Sequence, residues 1–270
     1  MPSLLSTTNT TRRHEGVRIV IAAREKVGKT TLCSQAPGAL LLPLEIGYGG
    51  VHVPKTEMIQ SYQDFSDTLD DIIAQAKVGQ CPHKTLIFDS ATALERLIHE
   101  HIVSLETDKN ATMETAQKGY GKAYGFANRI FDSILKRCDL LAVYGGINIV
   151  FTCHVFASKI LDPTSGEYDS WDLELHSPKN NKVYGKREMI SQWADVVGFL
   201  YEPIFISKDD SMAKAVSQNT GRLLGVSRTP SYIAGNRYGM VGEIPIPIDN
   251  GWNHLAQALY NANGINIFNV

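Results

Sequence analysis

The run Ala23-Arg24-Glu25-Lys26-Val27-Gly28-Lys29-Thr30-Thr31 has the residue types and spacing of a phosphate-binding loop. It follows an apolar run over 17–22 and precedes Thr31-Leu32-Cys33-Ser34-Gln35, so strand, tight loop and helix come in that order. Such a turn aims several backbone N–H groups and a helix N-terminus at one point, where a polyphosphate binds. Lys29 is placed to reach the β- and γ-oxygens of ATP, and the Thr30 hydroxyl to join a Mg²⁺ shell. Ala23 stands where the usual pattern has its first glycine, so the loop must enter its turn without a left-handed residue there.

Three more polar residues close apolar runs. Asp89 ends Thr85-Leu86-Ile87-Phe88 and is the expected second Mg²⁺ ligand, acting through a water; the bland alternative is a cap on the following helix. Because Ser90 follows it and not a second acid, the general base must come from elsewhere. Glu45, after Leu40-Leu41-Leu42-Pro43-Leu44, is the candidate to orient or deprotonate the attacking water. Thr152 and His154 close the run 147–154, and the imidazole is placed to sense the γ-phosphate. His99 and His101, two apart on a helix, fall on different faces and make no metal site.

The elements that must position these groups follow from periodicity. Strands are expected at 17–22, 39–44, 85–90, 147–154 and 194–201, with a short one at 58–60. Amphipathic helices are expected over 62–77 (Phe65, Leu69, Ile72 and Ile73 inward), about 91–105, from 120 onward, and through Trp252, Leu255 and Leu259. Strands alternating with helices imply a mainly parallel sheet covered on both faces, whose C-terminal tips gather Lys29, Glu45, Asp89 and His154 in one crevice. Later, the pattern predicts a β-hairpin over 158–175, turning at Asp162-Pro163-Thr164-Ser165-Gly166, then a basic loop. Residues 1–16, rich in Ser, Thr and Asn, are expected to be a flexible arm, and 17–265 a single domain.

Composition narrows the class. With 270 residues, 43% apolar and 20% charged, the chain can bury one large core. No run is long enough to span a bilayer, the N-terminus has no apolar secretion core, and Cys33, Cys81, Cys138 and Cys153 form no paired motif; a cytoplasmic protein with reduced thiols is expected. A formal charge of −2 gives no global support for nucleic-acid binding, so any such surface must be local.

The chain resembles the short RecA-like ATPases of bacteriophages, the group that includes the Sak-type single-strand annealing proteins. The resemblance is carried, in order, by Gly28-Lys29-Thr30-Thr31-Leu32 with Pro37-Gly38-Ala39-Leu40, Leu44-Glu45-Ile46-Gly47, Leu86-Ile87-Phe88-Asp89-Ser90 and Tyr120-Gly121-Lys122-Ala123-Tyr124. It continues through Val150-Phe151-Thr152-Cys153-His154-Val155, Trp193-Ala194-Asp195-Val196-Val197 and Asn236-Arg237-Tyr238-Gly239. It implies a RecA-like P-loop core in the α/β class with a hairpin-rich C-terminal part. It further implies assembly into a ring or filament and an active site completed by the neighbouring subunit. Glu45 becomes the water-activating carboxylate, His154 the γ-phosphate sensor, and Arg237 a cation reaching the neighbour's nucleotide.

In RecA-like proteins the segment after the sensor strand faces DNA. The resemblance thus points to single-stranded DNA at Lys179, Lys182, Lys186 and Arg187, with Tyr184 stacking on a base. The function expected is ATP-driven binding or remodelling of single-stranded DNA in phage-type recombination or annealing. One alternative is a nucleotide-dependent assembly switch or loader acting on a protein partner. Another is a small-molecule kinase with a mobile lid, for which Arg222 and Arg228 are the available cis arginines.

Overall fold

The computed structural model describes residues 15–164, 166–178, 184–209, 212–217 and 221–268, with 205–209 and 212–217 described as backbone only. The centre is a sheet built from the apolar runs: β1 (Arg18–Ala22), β2 (Ala39–Pro43), β3 (Thr85–Asp89), β4 (Asn148–Cys153) and β7 (Val196–Tyr201). These five lie parallel in the order β7-β1-β4-β3-β2. Beyond β7 the sheet turns antiparallel through β10 (Arg222–Gly225) and β12 (Glu243–Ile246), and the short β11 (Gly235–Asn236) also pairs with β7. Pro43 is the last residue of β2, where its missing N–H removes nothing from the ladder.

Both faces are covered, which explains why these strands read as continuous apolar runs instead of alternating ones. Val20, Leu86, Phe88, Ile149 and Phe151 point into one core, against α2 (Tyr62–Lys77), α3 (Ala91–Ser104), α4 (Lys122–Gly145) and α5 (Lys186–Trp193). Their sequence neighbours Ile19, Ile21, Ile87 and Val150 point the other way, against α1 (Lys29–Cys33) and α6 (Gly251–Asn263). The helix over 62–77 and its buried face match the periodicity. Ser61 caps it by accepting from the Asp64 N–H, and Ser90 caps α3 by accepting from the Ala93 N–H.

Two hairpins stand off the sheet: β5 (Val155–Asp162) with β6 (Gly166–Leu173), and β8 (Ile204–Asp209) with β9 (Met212–Ser217). The first is the one expected, starting three residues earlier.

Three expectations need correcting. Residues 58–60 form no strand; the Ile59 N–H bonds instead to the Pro43 carbonyl at 2.9 Å, and the bridge beside β2 is made by Lys55 with Leu41. The basic stretch is not wholly loop, because from Lys186 it is α5, started by Glu188 accepting from the Gly185 N–H at 2.8 Å. Gly16, assigned to the arm, is already anchored, donating to Ala142 O at 2.8 Å; residues 1–14 lie outside the described residues.

Candidate active site

The P-loop leaves β1 at Ala22 and reaches α1 at Lys29. Ala23 is buried and bonds through its N–H to Cys153 O at 3.2 Å, so it continues the sheet and needs no special φ. The left-handed geometry is met further on, at Lys26 (φ 61°) and Gly28 (φ 95°). Alternating backbone hands turn successive N–H groups to the same side and form an anion-binding concavity. Lys29 is buried, its ammonium donating to Ala23 O and Arg24 O, each at 3.1 Å. Burial pushes its pKa down and the charges of Asp89 and Glu45 oppose that, which keeps the ammonium beside two carboxylates without an ion pair.

The other strand tips converge on this loop. Thr30 Oγ1 donates to Asp89 Oδ2 at 2.8 Å, and the Thr152 hydroxyl from the tip of β4 donates to Asp89 Oδ1. Since Ser90 caps α3, and the Asp89 oxygens are engaged by Thr30 and Thr152, the capping alternative for Asp89 falls away. The Asp89–Ser90 peptide is cis. The pair suits a hard cation: both donors are oxygens, and 2.8 Å is close to the roughly 3 Å between adjacent ligands of a magnesium octahedron. Among the described residues no group of three or more His, Cys, Asp or Glu forms a metal cluster, so a cation here would draw the rest of its shell from phosphate and water.

Glu45 lies just past β2, and its Oε1 is 2.8 Å from His154 Nε2. His154 is held by its own N–H donating to Thr92 Oγ1 at 3.2 Å, and its Nδ1 is 3.5 Å from Lys29 Nζ. Glu45, His154 and Lys29 thus form one continuous polar chain. Burial alone pushes the Glu45 carboxyl up, but hydrogen bonds from His154 and Ser90 and the charges of His154 and Lys29 outweigh it and hold it below the ordinary carboxylate value. It is therefore ionised at neutral pH, as a base must be.

Other expected residues go elsewhere. Arg237 is half exposed and pairs with Asp195 at 3.1 Å. Asp195 is held by Arg18 at the start of β1, roughly 13 Å of strand away from the P-loop end. Arg237 is thus at the opposite end of the strands from its own chain's phosphate loop. Asn236 beside it is engaged in its turn, donating to Val226 O and Met240 O.

Of the expected DNA-facing residues, Lys179 and Lys182 lie outside the described residues, and Tyr184 is 64% exposed. Lys186 and Arg187 require correction. Lys186 is 0% exposed, 3.0 Å from Glu95 and 3.1 Å from His99 Nε2. Arg187 donates to Asp172 at 2.8 Å and packs 5.1 Å from the Phe156 ring. Both charges are neutralised by acids from α3 and β6, which removes them from the DNA-facing set. His99 belongs to this buried cluster, while His101 packs against Tyr62, 4.8 Å between rings, on another face as the spacing requires.

Beside the loop opens a cavity of about 660 Å³, lined among others by Arg24, Val27, Trp171, Phe199, Tyr201 and Tyr232. The Arg24 guanidinium lies 5.4 Å from the Trp171 ring centroid, joining the P-loop to β6 of the first hairpin. Residues not anticipated in these roles are Thr152 and Ser90, which hold the two carboxylates, and Arg222, which packs behind the loop. Only the position of Thr152, two before His154 and so on the same strand face, pointed to such a role.

A parallel sheet with a strand inserted between β1 and the acidic strand β3, and a Gly-Lys-Thr loop at the sheet's centre, defines a P-loop nucleotide-binding core. The family model for the AAA domain (AAA_24) matches residues 15–238, and the chain belongs to that family. No curated protein matches it. Among the described residues no helix is long and apolar enough to cross a membrane.

Proposed function

We propose that the chain binds ATP with magnesium and hydrolyses it at the strand tips. The observation that carries this reading is the unbroken contact from Glu45 through His154 to Lys29, built from three elements far apart in sequence. The P-loop N–H groups and Lys29 hold the β- and γ-phosphates; Thr30 and Asp89 would hold the magnesium, which supplies charge neutralisation at the same oxygens. Glu45 takes a proton from water as its oxygen forms the new bond to the γ-phosphorus, and the bond to the bridging oxygen of ADP breaks. His154 links the base to the phosphate lysine, so that the presence of the γ-phosphate reaches the hairpin beginning at Val155.

The wider reading extends this to self-assembly and to single-stranded DNA in phage-type recombination or annealing. It rests on the resemblance to the RecA-like group and on the exposed Tyr184. Arg237 would then serve a neighbouring subunit, after leaving Asp195. A second reading, an assembly switch or loader that acts on a protein partner, is favoured by the internal neutralisation of Lys186 and Arg187.

The test is ATP turnover by the full chain with and without single-stranded DNA, alongside calorimetry of MgATP uptake and particle size with and without nucleotide. Stimulation by DNA supports the first reading; nucleotide-dependent assembly with turnover indifferent to DNA supports the second. No uptake of MgATP removes both.

A further inference from the structure

One polar group bearing on the phosphate loop comes from far outside it. Arg222, the first residue of β10, is 6% exposed. Its Nη1 donates to Val27 O at 3.2 Å and Gly28 O at 3.1 Å, and its Nη2 to Pro247 O at 3.2 Å. Its Nε is buried without a partner. Among the described residues no carboxylate lies within ion-pair distance of it, whereas Arg18, Arg137, Arg187 and Arg237 each have one. Burial pushes its pKa down, with only the more distant charge of Glu202 opposing.

A buried cation whose partners among the described residues are all carbonyls is an expensive arrangement, and its position explains what it serves. The C=O and N–H of one peptide unit point in opposite directions. A donor on Val27 O therefore turns the Gly28 N–H the other way, and a donor on Gly28 O does the same for the Lys29 N–H. Neither N–H has an acceptor among the described residues, and both belong to the concavity of the loop. Gly28 is left-handed at φ 95°, which favours glycine, and a Cβ there would stand 2.2 Å from Arg222 Nη1.

We propose that Arg222 is a positioning residue for the polyphosphate, bracing the Gly28 and Lys29 peptides from behind and leaving its charge for the bound anion. This rests on the nucleotide reading above. It makes β10, and not the P-loop alone, part of the phosphate site. A lid arginine of a small-molecule kinase would reach across the substrate from the open side; Arg222 stands on the carbonyl side of the loop.

The experiment measures MgATP and MgADP affinity by calorimetry for the parent, Arg222→Gln and Arg222→Lys, with melting temperatures taken without nucleotide. Arg222→Gln keeps a donor but loses the charge, and both nucleotides should bind at least about tenfold more weakly. Arg222→Lys keeps the charge and should recover to within about threefold of the parent. A role in holding β10 alone would lower the melting temperature and leave both affinities at the parent value. That result overturns the proposal, as does a folded lysine variant that binds no better than the glutamine one. Arg222→Met replaces the glutamine variant if the latter does not fold, with the same outcomes. A parent that takes up no MgATP overturns the nucleotide reading and the brace together; a parent that binds, with variants that bind equally well, overturns the brace alone.

Discussion

Among the described residues two lysines are buried, each beside a carboxylate and a histidine, and they have opposite fates. Lys186, on α5, is 3.0 Å from Glu95 and 3.1 Å from His99, and its charge is fully matched inside the chain. Lys29, in the P-loop, donates to two loop carbonyls and stands 3.5 Å from a ring nitrogen of His154, with Glu45 on that ring's far side and Asp89 engaged by two hydroxyls. The first lysine completes a structural cluster that pins α5 to α3. On the proposed reading, the second keeps its charge available to an incoming anion. Burial of a cation therefore says nothing about function until its counter-charge is located.

The comparison breaks most directly at Lys29. Lys29→Ala should lower kcat/KM for ATP on the order of 10⁴-fold while the melting temperature stays near the parent's. Lost folding with retained turnover per folded molecule would reverse the two lysines' roles. Glu45→Gln should cost about 10³-fold in kcat with MgATP affinity preserved, separating the base from the phosphate cradle. Equal turnover would move the base elsewhere.

Lys186→Met should do the reverse of Lys29→Ala, leaving Glu95 buried without its counter-charge and costing about 3–5 kcal/mol in urea unfolding. The double variant Lys186→Met with Glu95→Leu should regain part of that loss, because no lone charge is left in the interior while the His176 N–H loses its acceptor.

A smaller effect appears with pH. Burial pushes His99 down to about 4, and the charge of Lys186 adds to that while Glu95 opposes it. The unfolded chain, with its ordinary value of 6.5, thus takes up the proton first. Stability from this group is complete above pH 6.5 and is lost as pH falls toward 4. Denaturation midpoints at pH 7 and 5 should converge in His99→Gln; an unchanged difference would place the titration elsewhere. The smallest effect is expected at Arg187, already paired with Asp172. Arg187→Gln should leave the salt slope of any single-stranded DNA binding unaltered, and a slope reduced by about one would return it to the DNA surface.

Those two regions also mark how far the amino-acid order could be read. The P-loop, Glu45, Asp89 and His154 were legible because each closes an apolar run, and parallel strands bring such ends together by geometry alone. The placement of Lys186 was not, since its partner His99 is 87 residues earlier and on another helix. Gly185 and Glu188 did signal a helix start, but four cations in a short stretch masked it. Arg222 was less legible still, bonded to a carbonyl 195 residues away, from a strand separated from β1 by β7. Local pattern finds the tips of a sheet; it does not find what a strand two places along the sheet delivers behind them.

The contact between Arg24 and Trp171 gives the molecule a built-in optical gauge. Of its three tryptophans, Trp252 is sealed in the core and Trp193 faces Arg18 at the far end of the strands, so Trp171 alone has its indole over a P-loop guanidinium. Any rearrangement of the loop around phosphate changes the field on that ring, and a fluorimeter can follow it without a label.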